Sequence, residues 1–120
     1  MSYLYFDQAV IDNLQTIMGE EFVELYRVYA RDSQQRLEQL EQLLEESVHP
    51  EKIRLAAHSI KGSSANVGAS GMASLCFQLE QMAQTDSLAE AGELFEEIKS
   101  LYALMKPEIE ALAKLPASDD

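Results

Sequence analysis

The chain has 120 residues, about the length of one domain with a single hydrophobic core. At 47% hydrophobic and 25% charged it is too apolar for a disordered protein. Its net charge of −12, from 21 acidic against 9 basic side chains, argues against nucleic acid or an anionic membrane as the main partner, because both need clustered Lys and Arg.

Periodicity is helical almost throughout, with no convincing alternating strand. Asp7 is placed to cap a short helix over 8–18 that ends at Gly19. A long helix follows over 20–46, with Phe22, Leu25, Tyr26, Tyr29, Leu37, Leu40 and Leu44 at three- and four-residue spacing. Ser33 and Arg36 interrupt that stripe without an evident reason. Pro50 suits the first turn of a third helix over 50–67, and Gly68 ends it. Ser70 is placed to cap a fourth helix over 71–84, with Met72, Leu75, Leu79 and Met82 on one face. "TDS" at 85–87 breaks the chain and caps a fifth helix over 88–114, which Pro107 is expected to kink or divide. Four substantial helices with short loops predict an all-α fold, an antiparallel up-down-up-down four-helix bundle with the short N-terminal helix capping one end. Residues 1–120 read as a single helical domain, with 1–6 and 115–120 expected to fray.

Other features bound the setting. A lone cysteine excludes an intramolecular disulfide framework and fits a reducing compartment. No run approaches the ~20 apolar residues of a membrane span, and "MSYLYFDQ" lacks the basic and apolar regions of a secretion signal. The expectation is a cytoplasmic, soluble monomer.

The stretch "AAHSIKGSSAN" (56–66) breaks the helical rules, because glycine inside a helix costs about 1 kcal/mol against alanine. At 100° per residue, Ile53, Ala56, Ile60 and Val67 fall on one face, which should be buried. His58 lies opposite, with Glu51, Arg54, Lys61, Gly62 and Ala65 on its own side and Leu55 as the one large apolar neighbour. A solvated imidazole offers a neutral nucleophilic nitrogen at neutral pH. Lys61 at i+3 supplies charge and donors for an anion on that nitrogen, and Gly62 at i+4 clears space for an approaching group. Residues 51–66 carry a local charge of +2 on an otherwise acidic chain, from Lys52, Arg54 and Lys61 against Glu51. A turn centred near 68 and 69 sets His58 level with residue 79. Glu80, with Gln81 next, is then the side chain expected to accept from Nδ1–H and leave Nε2 free.

The run "AAHSIKGSSANVGASGMASLCFQLE" resembles the signature of histidine-containing phosphotransfer (HPt) domains: His-x-x-Lys-Gly, small residues, a glycine, then a leucine-rich helix ending in Leu-Glu. The resemblance implies that His58 takes a phosphoryl group on Nε2 from an aspartyl-phosphate and passes it to another receiver aspartate. It makes Lys61 the phosphate-facing lysine, Gly62 the clearance glycine and Gly68 the glycine before the next helix. Relatives often place Gln or another polar residue against the imidazole at the position of Glu80. The implied partners are receiver domains of hybrid sensor kinases and of response regulators. The protein would be a carrier without autokinase activity and without a cofactor of its own, Mg²⁺ belonging to the receiver. Leu55, Arg54 and Ala65, together with Ile11, Leu14 and Ile17 of the first helix, are expected to form the docking surface.

Rival readings fit less well. A histidine kinase dimerisation domain usually has an acidic residue directly after the histidine, where Ser59 stands. A carboxylate-bridged metal bundle needs Glu-x-x-His on two helices, and only Glu46 and His49 have that spacing. "KGSS" lacks the pattern of a phosphate-binding loop. A helical adaptor that binds partners through the His58 face without chemistry is the alternative from another class.

Overall fold

The computed structural model describes residues 2–46 and 49–117. Among them are five α-helices: α1 (Gln8–Met18), α2 (Phe22–Glu46), α3 (Pro50–Asn66), α4 (Ser70–Gln84) and α5 (Ala91–Ala113). Single 3₁₀ turns at Gly19–Glu21 and Leu88–Glu90 lead into α2 and α5, and the described residues contain no strand. The long helices pack in a ring in which α3 touches α2 and α4, and α5 touches α2 and α4. Short connections force sequence neighbours to run antiparallel, so this is the expected bundle. Among the described residues no helix is long and apolar enough to cross a membrane.

Local signals explain the ends. The Asp7 carboxylate accepts from Ala9 N–H at 2.9 Å and starts α1. Ser70 does not cap α4: it is the first helical residue, and Ala69 occupies the cap position without a side-chain bond. Ser87 likewise makes no cap bond, because a 3₁₀ turn intervenes before α5. Pro107 does not divide α5, which continues through it to Ala113. Both Pro107 and Ala103, whose carbonyl loses its i+4 donor there, are exposed.

The core is built from the predicted stripes. Tyr26, Leu40, Ile53, Ile60, Leu79, Ile98 and Met105 are fully buried, and α3 turns Ile53, Ala56, Ile60 and Val67 inward as expected. Leu43 replaces Leu44 as the innermost residue near the end of α2. Ser33 belongs to that core for a polar reason. Its hydroxyl bonds the Tyr29 carbonyl and pairs with Tyr102 Oη at 2.8 Å, stitching α2 to α5. One turn earlier, Tyr29 Oη meets Ser64 Oγ at 2.9 Å, and Tyr26 Oη donates to Val67 O at 2.9 Å, which joins α2 to α3. Arg36 is simply exposed.

The N-terminal segment departs from expectation. Residues 3–6 are tied down: Tyr3 and Tyr5 pack against the core, and Phe6 is buried and stacks edge-on against Tyr26 and Tyr29. The amides of Leu4 and Tyr5 donate to the two Glu108 carboxylate oxygens at 2.7 and 2.9 Å. At the other end, residues 115–117 are exposed and lie outside any helix; Met1 and 118–120, also expected to fray, lie outside the described residues. Asp7 N–H donates to Gly68 O at 2.8 Å, fastening the start of α1 to the α3–α4 turn. Gly68 is required there twice over. Its φ of +86° is left-handed, and a Cβ would sit 3.1 Å from Val10.

Candidate functional site

The α3–α4 pair is held in register by a turn of three residues, Val67 to Ala69, with Ala69 N–H donating to Ser64 O at 2.8 Å. This brings His58 level with Glu80, one residue from the position the turn predicts. His58 stands on the polar side of α3 with its side chain 57% exposed, while the Glu80 side chain is only 9% exposed. His58 Nδ1 lies 2.6 Å from Glu80 Oε2, and Lys61 Nζ donates to Glu80 Oε1 at 2.7 Å. One carboxylate therefore serves both the imidazole and the ammonium.

The protonation pattern follows from this geometry. Burial pushes the Glu80 carboxyl up, but the hydrogen bonds and charge of Lys61 and His58 outweigh it and hold the carboxyl below its ordinary range. An ionised carboxylate only accepts, so Nδ1 must carry a proton and donate it. In the neutral ring the lone pair is then on Nε2, the nitrogen that Glu80 does not engage. The site thus consists of an exposed nucleophilic nitrogen backed by a buried anion, with a cation beside it.

The other predicted residues fall as follows. Gly62 is exposed, and a Cβ built on it would meet nothing within 4 Å, so its surface is open. Gln81 is exposed, and the imidazole's partner is Glu80 instead. Leu55 is 50% exposed and Ala65 is exposed, both on the histidine side of α3. Arg54 is bound by Glu51 of the preceding turn through a two-pronged ion pair, which softens the positive island. On α1 the expected patch separates. Ile11 is 1% exposed and belongs to the core, not to a docking surface. Ile11, Leu14 and Met18 recur at helical spacing and face the bundle, with Leu14 and Met18 partly buried, so only Ile17 is left outside, 71% exposed. His49 Nε2 lies 3.6 Å from Glu46 Oε2 at the helix junction. No group of three or more His, Cys, Asp or Glu side chains suited to a metal converges among the described residues. Cys76 is buried against Met72, and burial pushes its thiol up to about 12.

Periodicity alone does not single out Phe77. It is 45% exposed on α4, with its ring centroid 5.3 Å from Lys61 Nζ. The available signal is an aromatic residue off the core stripe, level with Lys61 across the hairpin.

Residues 24–113 match the Hpt domain family. The chain belongs to that family. The crystal structure of histidine-containing phosphotransfer protein B (HptB) from Pseudomonas aeruginosa PAO1 is similar to it, with a TM-score of 0.88 and 30% identity over 94% of this chain and 97% of that one. A comparison with curated protein sequences found no match. As an Hpt protein the chain is a histidine phosphotransfer protein of a phosphorelay, a phosphoryl carrier that works with receiver domains of two-component systems. The Hpt match spans α3 and α4 and so includes both His58 and Glu80.

Proposed function

We propose that His58 is the phosphoryl-carrying residue, accepting the group from a receiver aspartyl-phosphate and passing it to the receiver of a response regulator. The observation that carries this reading is Glu80 bridging His58 Nδ1 and Lys61 Nζ. The Nε2 lone pair forms an N–P bond as the aspartyl O–P bond breaks, and the receiver carboxylate leaves with that electron pair. The ring becomes a phosphoimidazolium whose proton remains on Nδ1, so the positive charge develops against the buried Glu80 anion. No proton has to leave. Lys61 neutralises charge on the phosphoryl oxygens, and Gly62 leaves room for the receiver. Onward transfer breaks the N–P bond and returns its electrons to Nε2.

In this reading the acidic pocket and Mg²⁺ belong to the receiver. The protein acts as a cytoplasmic monomer without autokinase activity, and its net charge of −12 suits neither nucleic acid nor an anionic membrane. The test is to mix the protein with a phosphorylated receiver domain and follow acid-labile, base-stable phosphate. Wild type and His49→Gln should take the label, and His58→Gln should fold normally and take none. Wild type with ATP and Mg²⁺ alone should stay unlabelled. Label on His58→Gln removes the assignment, and receiver binding without any transfer to wild type favours a non-catalytic adaptor.

A further inference from the structure

Phe77 is a large apolar side chain that the core does not use. It sits on the outer side of α4, one turn before Glu80, and its ring lies against the ammonium of Lys61. An aromatic face attracts a cation through its quadrupole, and does so without bearing a charge. Lys61 is thus gripped on two sides, by the Glu80 carboxylate at 2.7 Å and by the Phe77 ring at 5.3 Å to its centroid. Its side chain is 28% exposed, well covered for a lysine at the surface of a two-helix face.

The two grips differ in what happens when a phosphoryl group arrives on His58. The ammonium is then claimed by two anions, the buried carboxylate and the phosphoryl oxygens. A lysine on a flexible four-carbon stem that let go of Glu80 would sample many rotamers in water. A second carboxylate in place of Phe77 would hold the cation more tightly but repel the incoming group. An aliphatic side chain would cover the stem and attract nothing. The aromatic face retains the cation and competes with neither anion.

We propose that Phe77 is a positioning residue, whose ring keeps Lys61 at the site while the ammonium turns from Glu80 to the phosphoryl group on His58. This rests on the assignment of His58 as the carrier. The N–P bond forms and the aspartyl O–P bond breaks as described above, and Phe77 takes part in neither. It acts through Lys61.

The experiment compares wild type, Phe77→Leu and Phe77→Tyr. In unphosphorylated protein, the Lys61 ε-methylene protons should be shifted upfield by the ring in wild type and Phe77→Tyr, and return toward ordinary lysine positions in Phe77→Leu. With a phosphorylated receiver titrated to saturation, Phe77→Leu should lower the maximal transfer rate roughly two- to five-fold, the size of an exposed cation–π contact. Phe77→Tyr should restore it, and all three proteins should melt within a few degrees of one another. A maximal rate unchanged in Phe77→Leu, with only the half-saturating receiver concentration raised, would make Phe77 a docking residue and overturn the proposal. An unshifted Lys61 in wild type overturns it as well. The carrier assignment fails separately: wild type that shows the Lys61 shift but takes no phosphate on His58 removes that reading, and this proposal with it.

Discussion

Glu80→Gln changes the chemistry of the site while keeping its volume. The carboxylate accepts from His58 Nδ1 at 2.6 Å and from Lys61 Nζ at 2.7 Å, one oxygen for each. A carboxamide puts an NH₂ group, which only donates, where one of those two oxygens stands, so in this geometry one of the donors faces another donor. Either Lys61 is released, or the imidazole moves its proton to Nε2 so that Nδ1 can accept. The second outcome puts a proton on the attacking nitrogen. Hydrogen bonds involving charged groups contribute about 1.5–3 kcal/mol and neutral ones about 1. Loss of the anion beside a ring that becomes positive in the transition state should therefore cost about 1–2 kcal/mol at a site half open to water. At 1.36 kcal/mol per decade, phosphoryl acceptance should slow about 5- to 30-fold. Two-bond proton–nitrogen correlation spectra distinguish the tautomers, with His49 as internal reference, and rapid-mixing transfer from a phosphorylated receiver gives the rate. A variant that keeps both the Nδ1–H tautomer and a rate within two-fold of wild type refutes the argument.

The same carboxyl makes a prediction about acid. Its pKa in the folded protein lies below the ordinary 4.5, so the stability it contributes is fully present above that value and is lost as pH falls through the depressed one. Melting temperature between pH 5 and 3 should therefore fall less steeply in Glu80→Gln than in wild type, and parallel slopes would count against it. Gly62→Ala should raise stability by up to about 1 kcal/mol in denaturant titrations, since the new methyl meets nothing and alanine is the better helix former. Gly62→Gln should fold as well yet slow transfer, and unimpeded transfer in it would show that clearance is not its role. Leu55→Ala removes a half-exposed side chain, so stability should fall by well under 1 kcal/mol; calorimetric titration with a receiver should show a loss above about 1 kcal/mol if Leu55 anchors the interface. Unfolding with receiver affinity intact would mean that Leu55 is a core residue.

The bundle was legible because its helices carry stripes long enough to outweigh local accidents. The exposure of His58 followed from four apolar residues, Ile53, Ala56, Ile60 and Val67, sharing the opposite face of one helix. Its pairing with Glu80 followed from the shortness of the turn at Gly68, which leaves the two helices almost no freedom of register. What escaped depends on partners distant in sequence. Ser33 interrupts its stripe because its mate, Tyr102, arrives from α5, 69 residues away. The segment before α1 has no period to read, and the groups that hold Leu4, Tyr5 and Phe6, namely Glu108 and the Tyr26–Tyr29 pair, come from α5 and α2. On α1 a single short helix offered several apolar residues for one buried stripe, and only packing separates Ile11 from Ile17.

The turn of three residues between α3 and α4 also bears on how the site comes into being. His58 and Glu80 are only 22 residues apart, and the helices that bear them are joined by one of the shortest links in the chain. Contacts of low sequence separation close with little loss of chain entropy and form early on the way to the native state. The chemical constellation therefore needs no long-range search of its own: a folding hairpin brings the imidazole, the ammonium and their shared anion together in one step. The contacts of α2 and α5 with the hairpin, and of Phe6 with Tyr26 and Tyr29, close longer stretches of chain and cost more loop entropy. The relative placement of His58 and Glu80 is thus set chiefly by the packing of α3 on α4, the most extensive between any two helices described.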